Sequence, residues 1–142
     1  LAGCGALHTL VLTESEVMDV SALSGCVALH TLQLSKCRVR HATDISGLAD
    51  CVALHTLDLS DCYGLFHISA LAGSATLHTL NLSRCYSVVE VSELAAGCTA
   101  LHTLNLHHTS VDDVSGLASC ASLHKLDLSY CLVEDVSALA GC

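Results

Sequence analysis

The sequence contains no proline and no tryptophan, and aromatic residues make up only 3% of its 142 residues. The missing proline excludes a proline-rich ligand or a collagen-like chain, and the scarcity of aromatics requires an aliphatic core. No apolar run approaches the ~18 residues of a transmembrane helix, because histidine and threonine interrupt every apolar stretch. We therefore expect no membrane contact.

Basic residues are also scarce: five Lys and Arg stand against 14 Asp and Glu, which gives a formal net charge of −9. This balance argues against a nucleic-acid partner, whose phosphates need a basic face, and favours a neutral or basic one. Hydrophobic residues reach 52% and charged residues only 13%, which excludes an intrinsically disordered chain.

The sequence is built from repeats. Leu-His-Thr-Leu occurs five times and Leu-His-Lys-Leu once, at intervals of 22 to 25 residues. The six repeats start at residues 7, 29, 54, 77, 101 and 123, and residues 1–6 match the tail of a preceding repeat. We expect residues 1–142 to form one repeat array that is a segment of a longer array. Exposed Leu and Val at its two ends would then favour end-to-end self-association of the fragment.

Laid over each other, the six repeats read L-H-T-L-x-L-S-x-C-x-V-x-D-V-S-x-L-x-x-C-x-x. This pattern resembles the leucine-rich repeat family, and the 22-residue form is most similar to internalin-like repeats, with Cys in the Asn column. The resemblance implies an α/β leucine-rich repeat solenoid, a curved horseshoe. A parallel β-sheet would line its concave face, and short 3₁₀ or helical turns and loops its convex face.

The residues themselves predict the same strands. Leu32 and Leu34 alternate with Thr31, Gln33 and Ser35, and this period of two is typical of a strand with its leucines facing inward. We expect one short parallel strand per repeat, because stacking buries faces that a single strand leaves open. The predicted strand ends are Thr13, Ser35, Ser60, Ser83, His107 and Ser129. A serine column suits the N-caps of the turns that follow, at Ser21, Ser46, Ser69, Ser92, Ser115 and Ser137.

All ten cysteines fall in two columns. Four take the Asn column, namely Cys37, Cys62, Cys85 and Cys131; six lie near the repeat ends, namely Cys4, Cys26, Cys51, Cys98, Cys120 and Cys142. An even count allows disulfides, but Ser or Thr replaces single members without loss of a matching cysteine. We therefore expect small, buried, reduced thiols, at Cys26, Cys51, Cys98 and Cys120 above all. Unpaired thiols favour an intracellular, reducing compartment such as the cytoplasm.

A histidine column comprises His8, His30, His55, His78, His102 and His124. Repeat-end cysteines precede these histidines by four residues, a spacing that suggests zinc, but Cys should face inward and His outward. We therefore expect no metal and no cofactor. The column could act as a pH sensor or a metal ladder; we favour rings that cover the edge of the sheet and stack on their neighbours. Because neighbouring imidazolium ions repel, the folded pKa values of the column should lie below the usual value of about 6.5.

Two exposed strand positions vary while the frame does not, and such positions on the concave face usually contact partners in this family. The predicted partner-binding residues are Asp58, Asp61, Asn81, Arg84, Asn105, His107, His108, Asp127 and Tyr130. Tyr63, Tyr86 and Tyr130 are expected anchors, since tyrosine is enriched at binding hot spots. The alternative is that these residues are merely solvated.

No Ser-His-Asp, His-Glu-x-x-His or paired-carboxylate signature is present, so no catalytic residue is predicted. The sequence thus predicts a non-enzymatic scaffold that binds a protein, and a basic one is plausible on charge. The alternative is a recognition or sensor segment of a larger signalling enzyme, ubiquitin ligase or receptor.

Overall fold

A computed structural model of the chain describes residues 4–17, 19–36 and 44–141. Each repeat contributes one three-residue strand and one 3₁₀ turn. The strands are β1 (Thr9–Val11), β2 (Thr31–Gln33), β3 (Thr56–Asp58), β4 (Thr79–Asn81), β5 (Thr103–Asn105) and β6 (Lys125–Asp127). The turns are η1 (Ser21–Leu23), η2 (Ser46–Asp50), η3 (Ser69–Leu71), η4 (Ser92–Ala96), η5 (Ser115–Ser119) and η6 (Ser137–Gly141).

The six strands form one parallel sheet in the order β1-β2-β3-β4-β5-β6, which confirms the predicted solenoid. The register pairs equivalent residues of successive repeats, as in Leu57 with Leu80 and Leu80 with Leu104. Equivalent side chains therefore lie in columns along the array, and any property of one column is repeated at each strand spacing. Among the described residues, no helix is long and apolar enough to cross a lipid bilayer.

The core is aliphatic and lies between the sheet and the turns. The strand leucines of the central repeats are buried, as predicted, at Leu32, Leu34, Leu57, Leu59, Leu80, Leu82, Leu104 and Leu106. The turn layer adds buried residues such as Val91 and Leu94 of repeat four. A Cβ at Gly47 would lie 2.3 Å from the carbonyl oxygen of Val20, so glycine lets η2 pack closely on η1. Truncating any of these leucines would leave a cavity inside a closely packed stack.

The strands end two residues earlier than the alternation predicted. In repeat three the strand stops at Asp58, because the Asp58 carboxylate accepts a hydrogen bond (2.9 Å) from the N–H of Ser60. Asp61 then takes a left-handed conformation with φ of 59°. Its N–H still donates to the carbonyl of Ser83 (2.8 Å), so contact between the repeats continues after the regular strand ends.

The serine column does not supply N-caps, and that prediction was wrong. Each serine is the first residue of its 3₁₀ turn, and no side-chain cap is formed by the residue before it in η1 to η5. In four of the six turns the serine N–H instead donates to the carboxylate of the Asp two residues earlier, which satisfies a donor that the turn leaves open. The pairs are Ser21 with Asp19 (2.7 Å), Ser46 with Asp44 (2.8 Å), Ser115 with Asp113 (2.7 Å) and Ser137 with Asp135 (2.7 Å).

These hydrogen bonds from Ser21, Ser115 and Ser137 lower the pKa of the Asp19, Asp113 and Asp135 carboxyl groups. In η3 the equivalent position is His67, and a different carboxylate is used. Glu93 of the next repeat reaches back and accepts the N–H of Ile68 at 3.0 Å. The aspartates of the D-V-S motif therefore stabilise the turns, a role that the sequence pattern alone had left to serine.

Candidate partner-binding surface

The first variable position is the last residue of each strand. This strand-end column consists of Val11, Gln33, Asp58, Asn81, Asn105 and Asp127, and parallel pairing places each beside the next. The four predicted binding residues in it, Asp58, Asn81, Asn105 and Asp127, are half-buried on the sheet face opposite the turns. The structure therefore brings them together, as the repeat alignment predicted.

One side-chain oxygen of each of these four residues already accepts a hydrogen bond within the chain. The Oδ1 atoms of Asp58, Asn81, Asn105 and Asp127 each accept the N–H two residues later, at 2.9, 3.1, 2.9 and 2.9 Å. The bonds from Ser129 lower the pKa of the Asp127 carboxyl, which favours its ionised form. These hydrogen bonds therefore shape the strand ends. The second polar atom of each side chain takes no part in them.

The second variable position has an unusual backbone. This left-handed column consists of Glu14, Lys36, Asp61, Arg84, His108 and Tyr130, whose φ angles all lie between 57° and 61°. The left-handed region costs residues other than glycine roughly 1–2 kcal/mol each, and no glycine occupies the column. The alternation of residues in the sequence did not predict this conformation. Glycine or asparagine at the position would have indicated a positive φ, but neither residue is present in the column.

The left-handed column pairs its side chains between neighbouring repeats. Lys36 Nζ lies 2.8 Å from Glu14 Oε1, and this hydrogen bond raises the pKa of Lys36. Arg84 Nη1 lies 3.7 Å from Asp61 Oδ1, at the limit of an ion pair. Lys36, Asp61 and Arg84 line a shallow depression together with Tyr63. This arrangement is polar and open, and it lies in the middle of the array.

An aromatic row runs along the left-handed column and shares two residues, His108 and Tyr130, with it. Its other members are Tyr63, Tyr86 and His107. Tyr63 stacks on Tyr86 with ring centroids 5.5 Å apart, and His108 stacks on Tyr130 at 4.5 Å. Tyr86 meets His108 edge to face at 6.2 Å, and His107 meets both His108 and Tyr130 edge to face at 5.0 and 5.3 Å. The three expected tyrosine anchors thus belong to one cluster, which the histidines of repeat five complete.

The tyrosines of the row face solvent. Tyr63 and Tyr86 are 48% and 49% exposed, and Tyr130 is 73% exposed. Tyr63 Oη donates a hydrogen bond to Asp61 Oδ1 at 3.1 Å, which raises the pKa of the phenol. The sequence predicted the tyrosines as surface anchors, and the structure adds His108 as the ring between Tyr86 and Tyr130.

The opposite, N-terminal edge of the sheet carries the histidine column. Rings of neighbouring repeats stack at 3.9 Å between His55 and His78, 4.8 Å between His78 and His102, and 5.1 Å between His102 and His124. His8 and His30 are farther apart, at 6.0 Å, and tilted. The pKa of His55 is lowered by burial and then by the nearby His78, His30 and His102.

A main-chain contact fixes most of these rings. Nδ1 of His78, His102 and His124 lies 2.7, 2.6 and 2.5 Å from the carbonyl oxygen two residues earlier. Since a carbonyl can only accept, Nδ1 carries the proton in these rings. The observed stacking agrees with rings that cover the sheet edge, the interpretation favoured from the sequence.

The thiols lie inside the stack. Cys26, Cys51, Cys98 and Cys120 are buried, as predicted, whereas Cys4 is exposed and Cys131 is half-buried. Cys37 and Cys142 lie outside the described residues. Cys4, Cys26, Cys51, Cys85, Cys98 and Cys131 are free thiols, and the described ranges contain no cluster of three His, Cys, Asp or Glu that could hold a metal ion.

Buried thiols connect successive repeats. In the Asn column, Cys62, Cys85 and Cys131 donate to the second strand leucine of the preceding repeat, at Leu34 (3.3 Å), Leu59 (3.0 Å) and Leu106 (3.0 Å). In the repeat-end column, Cys51 and Cys98 donate to Leu23 (3.5 Å) and Leu71 (3.3 Å). Burial raises the pKa of Cys85 to about 12, and of Cys51 and Cys98 to about 11. These thiols are weak donors that satisfy carbonyls, and the raised pKa values of Cys51, Cys85 and Cys98 make those three poor nucleophiles.

The model of the family "Leucine Rich repeats (2 copies)" matches residues 99–141. No curated protein matches the chain at a significant level. Among solved structures, the chain is similar to the internalin InlF from Listeria monocytogenes, with 28% identity and a TM-score of 0.82 over 91% of this chain and 36% of that one. It is also similar to internalin C2 from the same organism, with 30% identity and a TM-score of 0.81 over 99% of this chain and 59% of that one.

A third structure is similar in fold alone. It is a domain of InlJ from Listeria monocytogenes that includes a cysteine ladder, with 18% identity and a TM-score of 0.68 over 89% of this chain and 26% of that one. The chain therefore spans less than two thirds of each of these three structures. The repeat spacing, the parallel sheet and these likenesses together show a leucine-rich repeat solenoid, and its repeats are similar to those of internalins.

Proposed function

We propose that this chain is a non-enzymatic scaffold that binds a protein partner on the sheet face opposite the turns. The proposed contacts are Asp58, Asp61, Asn81, Arg84, Asn105, His107, His108, Asp127 and Tyr130. The left-handed column is the observation that carries this proposal. Side chains in a costly backbone conformation persist where function maintains them, and here six different non-glycine residues occupy it.

The chemistry of the site supports binding rather than catalysis. Cys62 and Cys85, beside the surface columns, are buried and hydrogen-bonded to carbonyls, and the raised pKa of Cys85 disfavours its thiolate. The histidines of the N-terminal edge stack on one another rather than on a nucleophile. Buried free thiols such as Cys51, Cys85 and Cys98 favour a reducing compartment inside a cell.

Site-specific photo-crosslinking in cells tests the location of the partner. A photoreactive residue in place of His108 should capture a discrete protein, whereas one at Asp50, which is exposed in η2, should not. Capture from Asp50 alone, equal capture from both positions, or no capture from His108 would overturn the proposal.

A second test uses the hydrogen bonds of the strand-end column. Asn81→Asp and Asn105→Asp keep the Oδ1 acceptor of each turn but change the charge presented to a partner. The double variant should change affinity for the captured protein at least fivefold and leave the melting temperature unchanged. An unchanged affinity would show that the partner does not contact this column.

A further inference from the structure

The distribution of aromatic side chains is the starting point. The chain has three Tyr and one Phe, and all four are about half exposed or more, with Phe66 at 52%. Aromatic side chains bury large apolar areas and usually dominate cores, yet this core contains none. Three of the four lie in the aromatic row, where stacking already restricts their rotation. A pre-organised aromatic surface loses little conformational entropy on binding, which is typical of hot-spot residues.

Carboxylates are concentrated in repeats four to six, the repeats that also carry Tyr86 and Tyr130. Residues 77–141 carry seven Asp and Glu but only two cations, Arg84 and Lys125. Glu90, Asp112, Asp113, Glu134 and Asp135 are exposed and line two adjoining depressions, which share Asp112 and Asp113. Two of them, Asp113 and Asp135, have lowered pKa values from their turn hydrogen bonds, so they stay ionised under ordinary conditions.

The row and the depressions are linked by short stretches of chain. The Ser110 hydroxyl donates to the Tyr86 carbonyl at 2.7 Å, and Asp112 follows Ser110 by two residues. Leu132 follows Tyr130 by two residues, is 65% exposed, and lines the depression with Asp112 and Glu134. A segment lying across Tyr86 and Tyr130 would therefore reach the carboxylates with its neighbouring side chains.

We infer that this edge of repeats four to six binds an arginine-bearing segment of the partner protein, an inference that rests on the proposed scaffold function. Guanidinium groups pair with carboxylates through two parallel hydrogen bonds and also pack against aromatic rings. Lysine offers the same charge without the planar fork, so arginine should be preferred. Tyr86 and Tyr130 provide the apolar contact, and Asp112 and Glu134 the ionic contact.

Fluorescence anisotropy with a labelled peptide of four Arg-Gly pairs tests the inference at 0.15 M salt, where bulk attraction is screened. Binding should saturate, and the equivalent Lys-Gly peptide should bind at least threefold more weakly. Asp112→Asn with Glu134→Gln should weaken arginine binding about tenfold, and Tyr86→Ser with Tyr130→Ser about fivefold. Asp113 and Asp135 are left intact because they cap turns.

The matched control removes two exposed carboxylates elsewhere, with Glu16→Gln and Asp50→Asn, and should change affinity less than twofold. Unsaturable binding, equal effects of the control and the Asp112/Glu134 variant, or no effect of the tyrosine variant would each overturn the inference. If a partner is captured from position 108 but its binding is insensitive to both the Asp112/Glu134 and the Tyr86/Tyr130 variants, this inference is overturned and the scaffold proposal stands. Specific peptide binding without any capture from position 108 would overturn the scaffold proposal and leave the arginine preference of this edge standing.

Discussion

The two ends of the strands follow opposite rules. At the N-terminal end, histidine recurs in all six repeats, and three successive ring pairs stack within 5.1 Å. At the C-terminal end, the left-handed column holds six different residues in one shared backbone conformation. The backbone geometry is repeated at both ends, but side-chain identity is repeated at only one.

This difference separates two kinds of constraint. A histidine that stacks on histidine and bonds a carbonyl is optimal whatever the partner, so one residue serves every repeat. In the left-handed column, contacts join only neighbours, as in Lys36 with Glu14 and Arg84 with Asp61. Contacts between opposite charges and between unlike rings need different residues in neighbouring repeats, so neighbour contacts favour a varied column there. The shared positive φ, rather than the variation, is therefore the observation that supports the proposed partner contact at this column.

The largest expected effect concerns the thiols behind the two ends. Raising the pKa of Cys85 from 9.0 to about 12 lowers its thiolate fraction about a thousandfold at pH 8, and burial slows attack further. Peptide-mapped mass spectrometry after iodoacetamide treatment should show Cys4 labelled first and Cys85 and Cys98 labelled only on unfolding. Cys85 follows the C-terminal end of β4 and Cys98 precedes the N-terminal end of β5. Faster labelling of Cys85 than of Cys98 would show that the layer at the C-terminal ends of the strands opens more readily. Early labelling of both would contradict the described burial.

The second expected effect concerns the aliphatic core beneath the sheet. Leu82 is fully buried after β4, and Leu82→Ala should lower the free energy of unfolding by roughly 2–5 kcal/mol, measured by urea denaturation. Leu132→Ala removes the same atoms from a side chain that is 65% exposed and serves as the control. A loss at Leu82 no larger than that at Leu132 would mean that the stack is not closely packed.

The third effect tests the strain at the C-terminal end. Arg84→Gly should keep or raise the free energy of unfolding by up to about 1 kcal/mol, because glycine relieves the left-handed conformation while adding freedom to the unfolded chain. Arg84→Val should lower it, since a β-branched residue suits a positive φ poorly. Thr13→Gly tests an exposed position that lacks a positive φ, and should destabilise the fold. If glycine is unfavourable at position 84, the left-handed column is not strained, and the scaffold proposal loses its main support.

The sequence predicted whatever the repeat enforces. Leucines 32 and 34 alternate, recur and end up buried, so the sheet, its parallel order and its core follow from spacing alone. The capping of the turns could not be predicted in the same way, because Asp and Ser are both good N-cap residues. Only the backbone geometry determines that the Asp19 carboxylate accepts the N–H of Ser21. The positive φ of Arg84 leaves no trace in period or propensity. Tertiary packing therefore sets the details of the proposed binding surface, which the local sequence pattern does not predict.

The smallest effect concerns pH and the N-terminal end. The pKa of His55 is lowered in the folded chain, so the unfolded chain binds more protons near the ordinary value of about 6.5. Stability from this source is thus fully present above that value and is lost as pH falls through it. The lowered pKa values of Asp19, Asp113 and Asp135 act in a separate window, since their contribution is lost only as pH falls below about 4.

Melting curves between pH 7.5 and 5 therefore isolate the histidines. The melting temperature of the parent should fall over this range, and replacement of His55, His78 and His102 by Gln should flatten the fall, because no imidazolium ions are then forced together. The control replaces His67, His107 and His108, which removes three histidines without touching the column, and should retain most of the fall. If the two triple variants respond alike, the stacked column is not the source of acid sensitivity, and the contrast between the two ends rests on the left-handed column alone.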